Sequence, residues 1–149
     1  MVYCHVAHDC KISNNIVLAN NVQVGGHVII ENNAIVGGSC AIHQFSRIGE
    51  SSMIGGMTGV LSDVIPFGLA SGPRAALHGL NLIGLRRRGF SAAQISAVRG
   101  AYRQLFVQDG LFADKLNQLK AEQGSDEMVS LLIRFIEEGQ DKNLCQPQK

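Results

Sequence analysis

The sequence predicts a β-solenoid followed by an α-helical domain, and three observations carry that prediction. An aliphatic residue recurs at every sixth position from Val6 to Val60, ten times without a gap. Because Ile, Leu and Val make up 39 of the 149 residues, such a run has a chance probability on the order of one in a million. The period breaks at Pro66, and the apolar spacing becomes helical from Leu77 onward. We therefore predict a parallel β-helix over 1–65, a connector over 66–76 and a C-terminal α-helical domain over 77–149.

A six-residue period is typical of hexapeptide β-helices, in which three hexapeptides form one triangular coil of about eighteen residues. Each aliphatic residue of the period points into the prism, and coils stacked about 4.8 Å apart bury it against its equivalents. The residue two positions earlier must also fit the narrow interior, and it is small or β-branched throughout. These residues are Cys4, Cys10, Ile16, Val22, Val28, Ala34, Cys40, Ser46, Ser52 and Thr58.

The corners between strands need residues that accept unusual backbone angles. Pairs of asparagine or glycine follow the inward aliphatic residues by one to three positions, and we expect them to supply those angles. The pairs are Asn14-Asn15, Asn20-Asn21, Gly25-Gly26, Asn32-Asn33, Gly37-Gly38 and Gly55-Gly56.

Beyond the solenoid, apolar residues at helical spacing predict four helices packed into a core. Ser91 followed three residues later by Gln94 is a capping box, which marks the start of the second helix. The polar tail from Gly139 is predicted to fray. The helices span Leu77 to Arg88, Ser91 to Val107, Leu111 to Glu122 and Asp126 to Glu138.

The composition narrows the classes of function. A net charge of +1 gives no reason to expect nucleic-acid binding, and no apolar run has the length of a membrane span. Three of the four cysteines fall at inward solenoid positions and are predicted to be small buried fillers in a reduced compartment, which favours the cytoplasm. The repeat is already running at Val6 without a polar cap, so we expect the chain to be the C-terminal part of a longer protein.

The eighteen-residue coil predicts that several histidines share one corner of the prism. After subtraction of whole coils, His43, His8 and His27 occupy coil positions 7, 8 and 9. Asp9 shares the column of His27, while Gly26 and Gln44 share the column of His8. His5 lies three positions before His8.

Three interpretations of this cluster stay open from the residues alone. His8 is suited to act as a general base oriented by Asp9, with the backbone N–H of Gly26 one coil away as an oxyanion donor. Alternatively, His5, His8 and His27 are three ligands of a zinc ion. The third interpretation is a set of hydrogen-bonded surface histidines, although four histidines near one corner favour a function.

Seven runs of residues stand out together in this chain. They are His5-Val6-Ala7-His8-Asp9-Cys10, Leu18-Ala19-Asn20-Asn21, Gly26-His27-Val28, Gly37-Gly38, Ala41-Ile42-His43-Gln44-Phe45, Ile48-Gly49 and Gly84-Leu85-Arg86-Arg87-Arg88-Gly89-Phe90-Ser91. With these runs the chain resembles the UDP-N-acetylglucosamine 3-O-acyltransferase family, over most of its length to about Gln108. The resemblance implies a left-handed β-helix and a cytoplasmic homotrimer with its active site between subunits. It also implies transfer of a 3-hydroxyacyl group from acyl carrier protein to the 3-hydroxyl of UDP-N-acetylglucosamine, the first step of lipid A biosynthesis. The phosphopantetheine thioester is the donor, and no further cofactor or metal is implied.

The same resemblance assigns roles residue by residue. It implies that His8 is the general base, Asp9 orients it and the Gly26 amide binds the oxyanion. Substrate contacts are implied for His5, His27, His43 and Gln44, and Gly56 is implied to leave room for a long acyl chain. Asn81, Arg87 and Arg88 match positions near the nucleotide or the carrier protein, although the arginines also suit a solvated helix end.

Two alternatives to this enzyme remain at this stage. The related hexapeptide N-acyltransferases use a similar histidine base, but the arginine-rich run argues against them. Since residues on preceding coils also contact substrate in the family, the second alternative is an inactive trimerisation or interaction module.

Overall fold

The computed structural model describes residues 1–140 and 143–149 and divides the chain into two compact units. The first unit comprises residues 1–81 together with the C-terminal residues from 143 onward, and the second comprises residues 82–140. Among the described residues, no helix has the length and apolar composition that crossing a membrane requires.

The first unit is a β-solenoid of short parallel strands, as the hexapeptide period predicts. Ten two-residue strands form three sheets in which each residue pairs with the residue eighteen positions later, for example His5 with Gln23 and Gln23 with Ala41. The ten strands are β1 (His5–Val6), β2 (Lys11–Ile12), β3 (Val17–Leu18), β4 (Gln23–Val24), β5 (Ile29–Ile30), β6 (Ile35–Val36), β7 (Ala41–Ile42), β8 (Arg47–Ile48), β9 (Met53–Ile54) and β10 (Gly59–Val60). They lie in the three sheets in the orders β1-β4-β7-β10, β2-β5-β8 and β3-β6-β9. The left hand of the winding stays a prediction.

The predicted inward residues form the core of the solenoid. From Val24 onward every aliphatic residue of the period is buried, and the small residues two positions earlier are buried from Val22 onward. Burial declines towards the first coil, where Val6 and Ile12 are 43% and 39% exposed. The interior is therefore fully shielded from solvent only beyond the first coil.

The corner glycines have a different role from the one we predicted. Positive φ angles occur at every sixth residue from Tyr3 to Met57, and these include the predicted Asn15, Asn21 and Asn33. The glycine pairs do not adopt them, because the left-handed residue is the one that follows each pair. A Cβ on Gly37 would lie 2.5 Å from the backbone nitrogen of Gly56, so glycine is needed there for the close approach of adjacent coils.

Of the three cysteines predicted to be buried fillers, Cys40 is buried, whereas Cys4 and Cys10 are only half-buried because the first coil is exposed. Cys10 and Cys40 donate to the carbonyls of Gly25 and Gly55 at 3.1 and 3.0 Å, and none of the four cysteines forms a disulfide. Burial raises the pKa of the Cys145 thiol to about 11.

The exit from the solenoid contradicts the predicted connector and first helix. Strand β11 (Gly68–Ser71) pairs with β9, and β12 (Ala76–Leu80) pairs antiparallel with β11. The helical spacing of Leu77 and Leu80 led to a wrong prediction. Both leucines lie on β12, the last strand of the sheet, and their side chains are buried.

The C-terminal tail also differs from the prediction of a frayed end within the helical domain. Asp63 donates its N–H to the carbonyl of Asn143 and accepts from the N–H of Cys145, so the tail adds to the solenoid edge. The Asp63 carboxylate also accepts from Arg47 Nε at 2.7 Å, a buried ion pair that fixes this edge. Polar composition alone does not reveal such pairing.

The second unit contains four α-helices, of which the second and third pack against the fourth. They are α1 (Leu82–Arg87), α2 (Ala92–Tyr102), α3 (Phe112–Gln123) and α4 (Glu127–Glu138), with a π-helical segment (Arg103–Val107) continuing α2. The predicted capping box is present, since Gln94 N–H donates to Ser91 Oγ and the Gln94 side chain accepts from Ser91 N–H. Helix α4 packs against α2 and α3 through buried residues that include Leu132 and Phe135.

Replacing Ile48 with alanine should destabilise the protein much more than the same change at Ile12. Both residues belong to one inward column, but Ile48 is fully buried whereas Ile12 is 39% exposed. A cavity at Ile48 should lower the free energy of unfolding by about 2–5 kcal/mol, and Ile12→Ala should cost less than half as much. Urea denaturation measures both, and equal losses would contradict the graded burial.

Candidate active site

Three of the four predicted histidines, His8, His27 and His43, lie at one corner of the solenoid. We call it the histidine corner and define it as residues 7–10, 25–28 and 43–46. It lies where the chain turns from the β1-β4-β7-β10 sheet to the β2-β5-β8 sheet. His8, Gly26 and Gln44 form one column at this corner. The adjacent column contains Asp9, His27 and Phe45, each in the left-handed backbone region.

His8 and Asp9 form a hydrogen-bonded pair despite being neighbours in sequence. Side chains of adjacent strand residues point to opposite faces, but the φ angle of 58° at Asp9 turns the chain so that both extend from the corner. Asp9 Oδ2 lies 2.9 Å from His8 Nδ1, and both side chains are exposed.

The charge state of Asp9 determines which ring nitrogen of His8 carries the proton and which keeps its lone pair. The hydrogen bond from His8, followed by the charge of His27, lowers the pKa of the Asp9 carboxyl group. An ionised carboxylate can only accept hydrogen bonds, so His8 Nδ1 must carry the proton. His8 Nε2 is then left with a lone pair, which is what a general base requires.

Gly26 lies directly against the imidazole of His8. A Cβ at Gly26 would approach the Cε1 and Nε2 atoms of His8 to 2.9 Å, so any side chain there would displace the ring. Within residues 1–140 and 143–149, the Gly26 N–H donates to no backbone or side-chain acceptor. A base and an available backbone donor therefore sit one coil apart, an arrangement that suits acyl transfer.

His27 is held between rings from the neighbouring coils. It stacks on Phe45 with ring centroids 4.7 Å apart and 6° between the planes, and it meets the His8 ring edge-on at 5.0 Å. Its Nε2 atom lies 3.8 Å from Asp9 Oδ2. Sequence reasoning gave Phe45 no role, although subtracting eighteen twice from 45 gives 27 and 9 and would have placed it in this column.

Three further predicted residues make no contact with the group formed by His8, Asp9 and His27 in the bonds and ring contacts described above. His43 and Gln44 belong to the third coil of the corner, and His43 Nδ1 lies 3.0 Å from the carbonyl of Gln44. His5 lies on strand β1, before the corner.

Next to Gln44 and Phe45, a cavity of about 280 Å³ extends to Leu61, Ser62, Asp63 and Asn143.

The zinc-ligand set His5, His8 and His27 is contradicted. Among the described residues, the metal-ligating side chains that come together are His8, Asp9 and His27. Asp9 takes the place expected for His5, because the corner turns Asp9 towards both histidines while His5 remains on the strand.

Comparisons with known proteins bear on the chemistry of this corner. Residues 63–145 match the family model described as UDP-N-acetylglucosamine O-acyltransferase, domain 2. The acyl-[acyl-carrier-protein]–UDP-N-acetylglucosamine O-acyltransferase of Paraburkholderia phymatum is 48% identical over 94% of this chain, and that of Paracoccus denitrificans is 47% identical over 99%. This chain belongs to the UDP-N-acetylglucosamine O-acyltransferase family. It spans about half the length of these relatives, 55% of each.

Solved structures of acyltransferases in this family show the same fold. The enzyme of Moraxella catarrhalis superimposes with a TM-score of 0.90 at 38% identity, covering 96% of this chain and 55% of that one. The Arabidopsis UDP-N-acetylglucosamine acyltransferase superimposes with a TM-score of 0.89 at 36% identity, covering 98% and 53%.

The remaining residues predicted from the acyltransferase resemblance are not part of the histidine corner. Gly56 lies at the corner between strands β9 and β10, where an added Cβ would be 3.4 Å from the carbonyl oxygen of Gly38. Asn81 follows β12 and donates from its amide to the carbonyl of Ser51 at 3.1 Å. Arg87 ends α1, and Arg88 lies 5.3 Å from the Phe90 ring centroid, both in the second unit. Their roles in binding stay predictions.

Replacing Gly26 with alanine should separate His8 from Asp9. The new Cβ would occupy the space of the imidazole, so the hydrogen bond that most strongly lowers the pKa of Asp9 would be lost and that pKa should rise. NMR titration of the Asp9 carboxyl carbon measures the change. Gly38→Ala is the matched control, because Gly38 has the equivalent position at another corner and should leave the pKa unchanged. An unaltered Asp9 pKa in Gly26→Ala would contradict the contact.

Proposed function

We propose that this chain carries the acyl-transfer site of a UDP-N-acetylglucosamine 3-O-acyltransferase. The reaction moves a 3-hydroxyacyl group from acyl carrier protein to the 3-hydroxyl of UDP-N-acetylglucosamine, the first step of lipid A biosynthesis. The observation that carries the proposal is the His8–Asp9 hydrogen bond of 2.9 Å, set against Gly26 in a member of this family.

In the proposed mechanism, His8 Nε2 removes the proton of the sugar 3-hydroxyl as its oxygen attacks the thioester carbonyl. Asp9 keeps the Nδ1 proton in place and stabilises the imidazolium that forms. The Gly26 N–H donates to the oxyanion of the tetrahedral intermediate. Collapse of that intermediate breaks the carbon–sulfur bond, and the imidazolium returns its proton to the departing phosphopantetheine thiolate.

The other predicted residues serve binding in this proposal. His5, His27, His43 and Gln44 line the path of sugar and acyl donor, and the stacked rings of His27 and Phe45 offer an apolar wall beside the base. Gly56 leaves space for a long acyl chain. A separate set, Asn81, Arg87 and Arg88, contacts the nucleotide or the carrier protein.

The proposal includes the assembly and location of the enzyme. The protein acts as a cytoplasmic homotrimer, with acyl carrier protein and UDP-N-acetylglucosamine as its partners and no cofactor beyond the donor's phosphopantetheine. Four free cysteines agree with a reduced compartment.

The assay that tests this proposal measures transfer from 3-hydroxyacyl carrier protein to UDP-N-acetylglucosamine. His8→Ala should lower the rate by about 10²–10⁴-fold, the range expected for loss of a general base. His78→Ala is the matched control, since His78 is an exposed histidine on β12 outside the histidine corner and should retain the rate.

The same assay tests a second candidate, an inactive trimerisation or interaction module. A homotrimer that performs no transfer would support the module and contradict the enzyme. Equal rates in wild type and His8→Ala would refute His8 as the base.

A further inference from the structure

The histidine corner brings together three side chains that bind metals. His8, Asp9 and His27 each offer one ligand atom, a ring nitrogen or a carboxylate oxygen, and these atoms lie within 4.8 Å of one another. The distances from Asp9 Oδ2 are 2.9 Å to His8 Nδ1 and 3.8 Å to His27 Nε2. No role as ligands follows from the acyl-transfer proposal, which uses His8 as a base and Asp9 as its orienting group.

Two of the three donor separations are close to those of a tetrahedral site. Zinc binds nitrogen and carboxylate oxygen at about 2.0–2.2 Å, so two donors of a tetrahedral ion are about 3.4 Å apart. The two distances from Asp9 Oδ2, 2.9 and 3.8 Å, fall on either side of that spacing. The histidine donors lie within 4.8 Å of each other, and rotation of their exposed side chains brings them to the spacing that one ion requires.

The backbone and the neighbouring rings hold the donors near these positions. His27 N–H donates to the carbonyl of His8 at 3.0 Å, which links the two coils at the level of the cluster. Phe45 stacks on the face of the His27 ring and limits its rotation. All three side chains are exposed, which leaves a fourth coordination position open to water.

We propose that His8, Asp9 and His27 bind a divalent metal ion such as zinc. While it is bound, this ion prevents His8 from acting as the base of the acyl-transfer reaction. The part of this proposal that concerns inhibition rests on the proposed function. The part that concerns binding stands on the geometry alone.

A bound ion would prevent base catalysis because a neutral imidazole has only one N–H proton and one nitrogen lone pair that can accept a proton. The ring carries one proton, and because the Asp9 carboxylate 2.9 Å from Nδ1 can only accept a hydrogen bond, that proton belongs on Nδ1 in the metal-free corner. An ion that coordinates Nδ1 takes the lone pair of that atom, so the proton moves to Nε2. Nε2 then has no lone pair to accept the proton of a hydroxyl substrate, and His8 no longer acts as a base.

Calorimetric titration of the full chain with zinc chloride tests the binding. One zinc per chain should bind, and His27→Ala and Asp9→Asn should each weaken binding by more than the roughly 10–100-fold that loss of a second-shell partner causes. His43→Ala and His78→Ala are matched controls: the first removes a histidine of the same corner and the second a distant one. Both should bind zinc like the wild type.

Long-range proton–nitrogen NMR spectra of His8 test the exclusion without any acyl donor. The proton should reside on Nδ1 in the metal-free chain and on Nε2 after one equivalent of zinc. Addition of a chelator should reverse the change. In the transfer assay, zinc should inhibit wild type and inhibit His27→Ala much less at the same concentration.

Several results would overturn the proposal. Weak zinc binding of equal strength in all variants would indicate unspecific contact with surface histidines, and an unchanged His8 tautomer would exclude coordination through Nδ1. Loss of zinc binding in His43→Ala with retention in His27→Ala would place the ion elsewhere. Because the titration and the spectra use no substrate, a chain without transfer activity would refute the acyl-transfer proposal while leaving the zinc site tested.

Discussion

Hydrogen bonding between coils in an eighteen-residue register is the constraint on which the structure depends. Each strand pairs with the strand one coil later, from His5 with Gln23 through Gly59 with Ala41. This register places residues that are far apart in sequence about one strand spacing apart in space. The distance between His8 and His27 is thus set by the scaffold and not by contacts between the two side chains.

The corners add a second regular feature, a left-handed residue at every sixth position. The N–H of that residue donates to a carbonyl nineteen positions earlier, as in His27 to His8, Asn33 to Asn14 and Ser39 to Asn20. At the other two corners this position is mostly asparagine or serine, with Tyr3 and Met57 as the exceptions. At the histidine corner the same position is taken by Asp9, His27 and Phe45, so the candidate site uses a backbone that the solenoid repeats throughout.

Periodicity explains why so much of this protein was predictable from its sequence. Spacing and side-chain chemistry predict the buried aliphatic residue at every sixth position from Val24 to Val60. They also predict the shared corner of His8, His27 and His43 and the capping box that begins at Ser91. Predictions were wrong where the period ends. Leu77 and Leu80 have helical spacing but lie on β12, and the tail joins the solenoid through backbone groups of Asp63, which sequence patterns do not report. The glycine pairs were assigned positive φ because close approach between coils is invisible without the partner coil.

Proximity of the His8 and His27 rings is the direct consequence of this register, and both the acyl-transfer site and the zinc site depend on it. Proton–proton NOE spectra of the chain with selectively labelled histidine and phenylalanine measure it most directly. The account predicts cross-peaks between the His8 and His27 rings, whose centroids are 5.0 Å apart, and between His27 and Phe45 at 4.7 Å. Absence of both cross-peaks in the folded chain would contradict a single corner built from three coils.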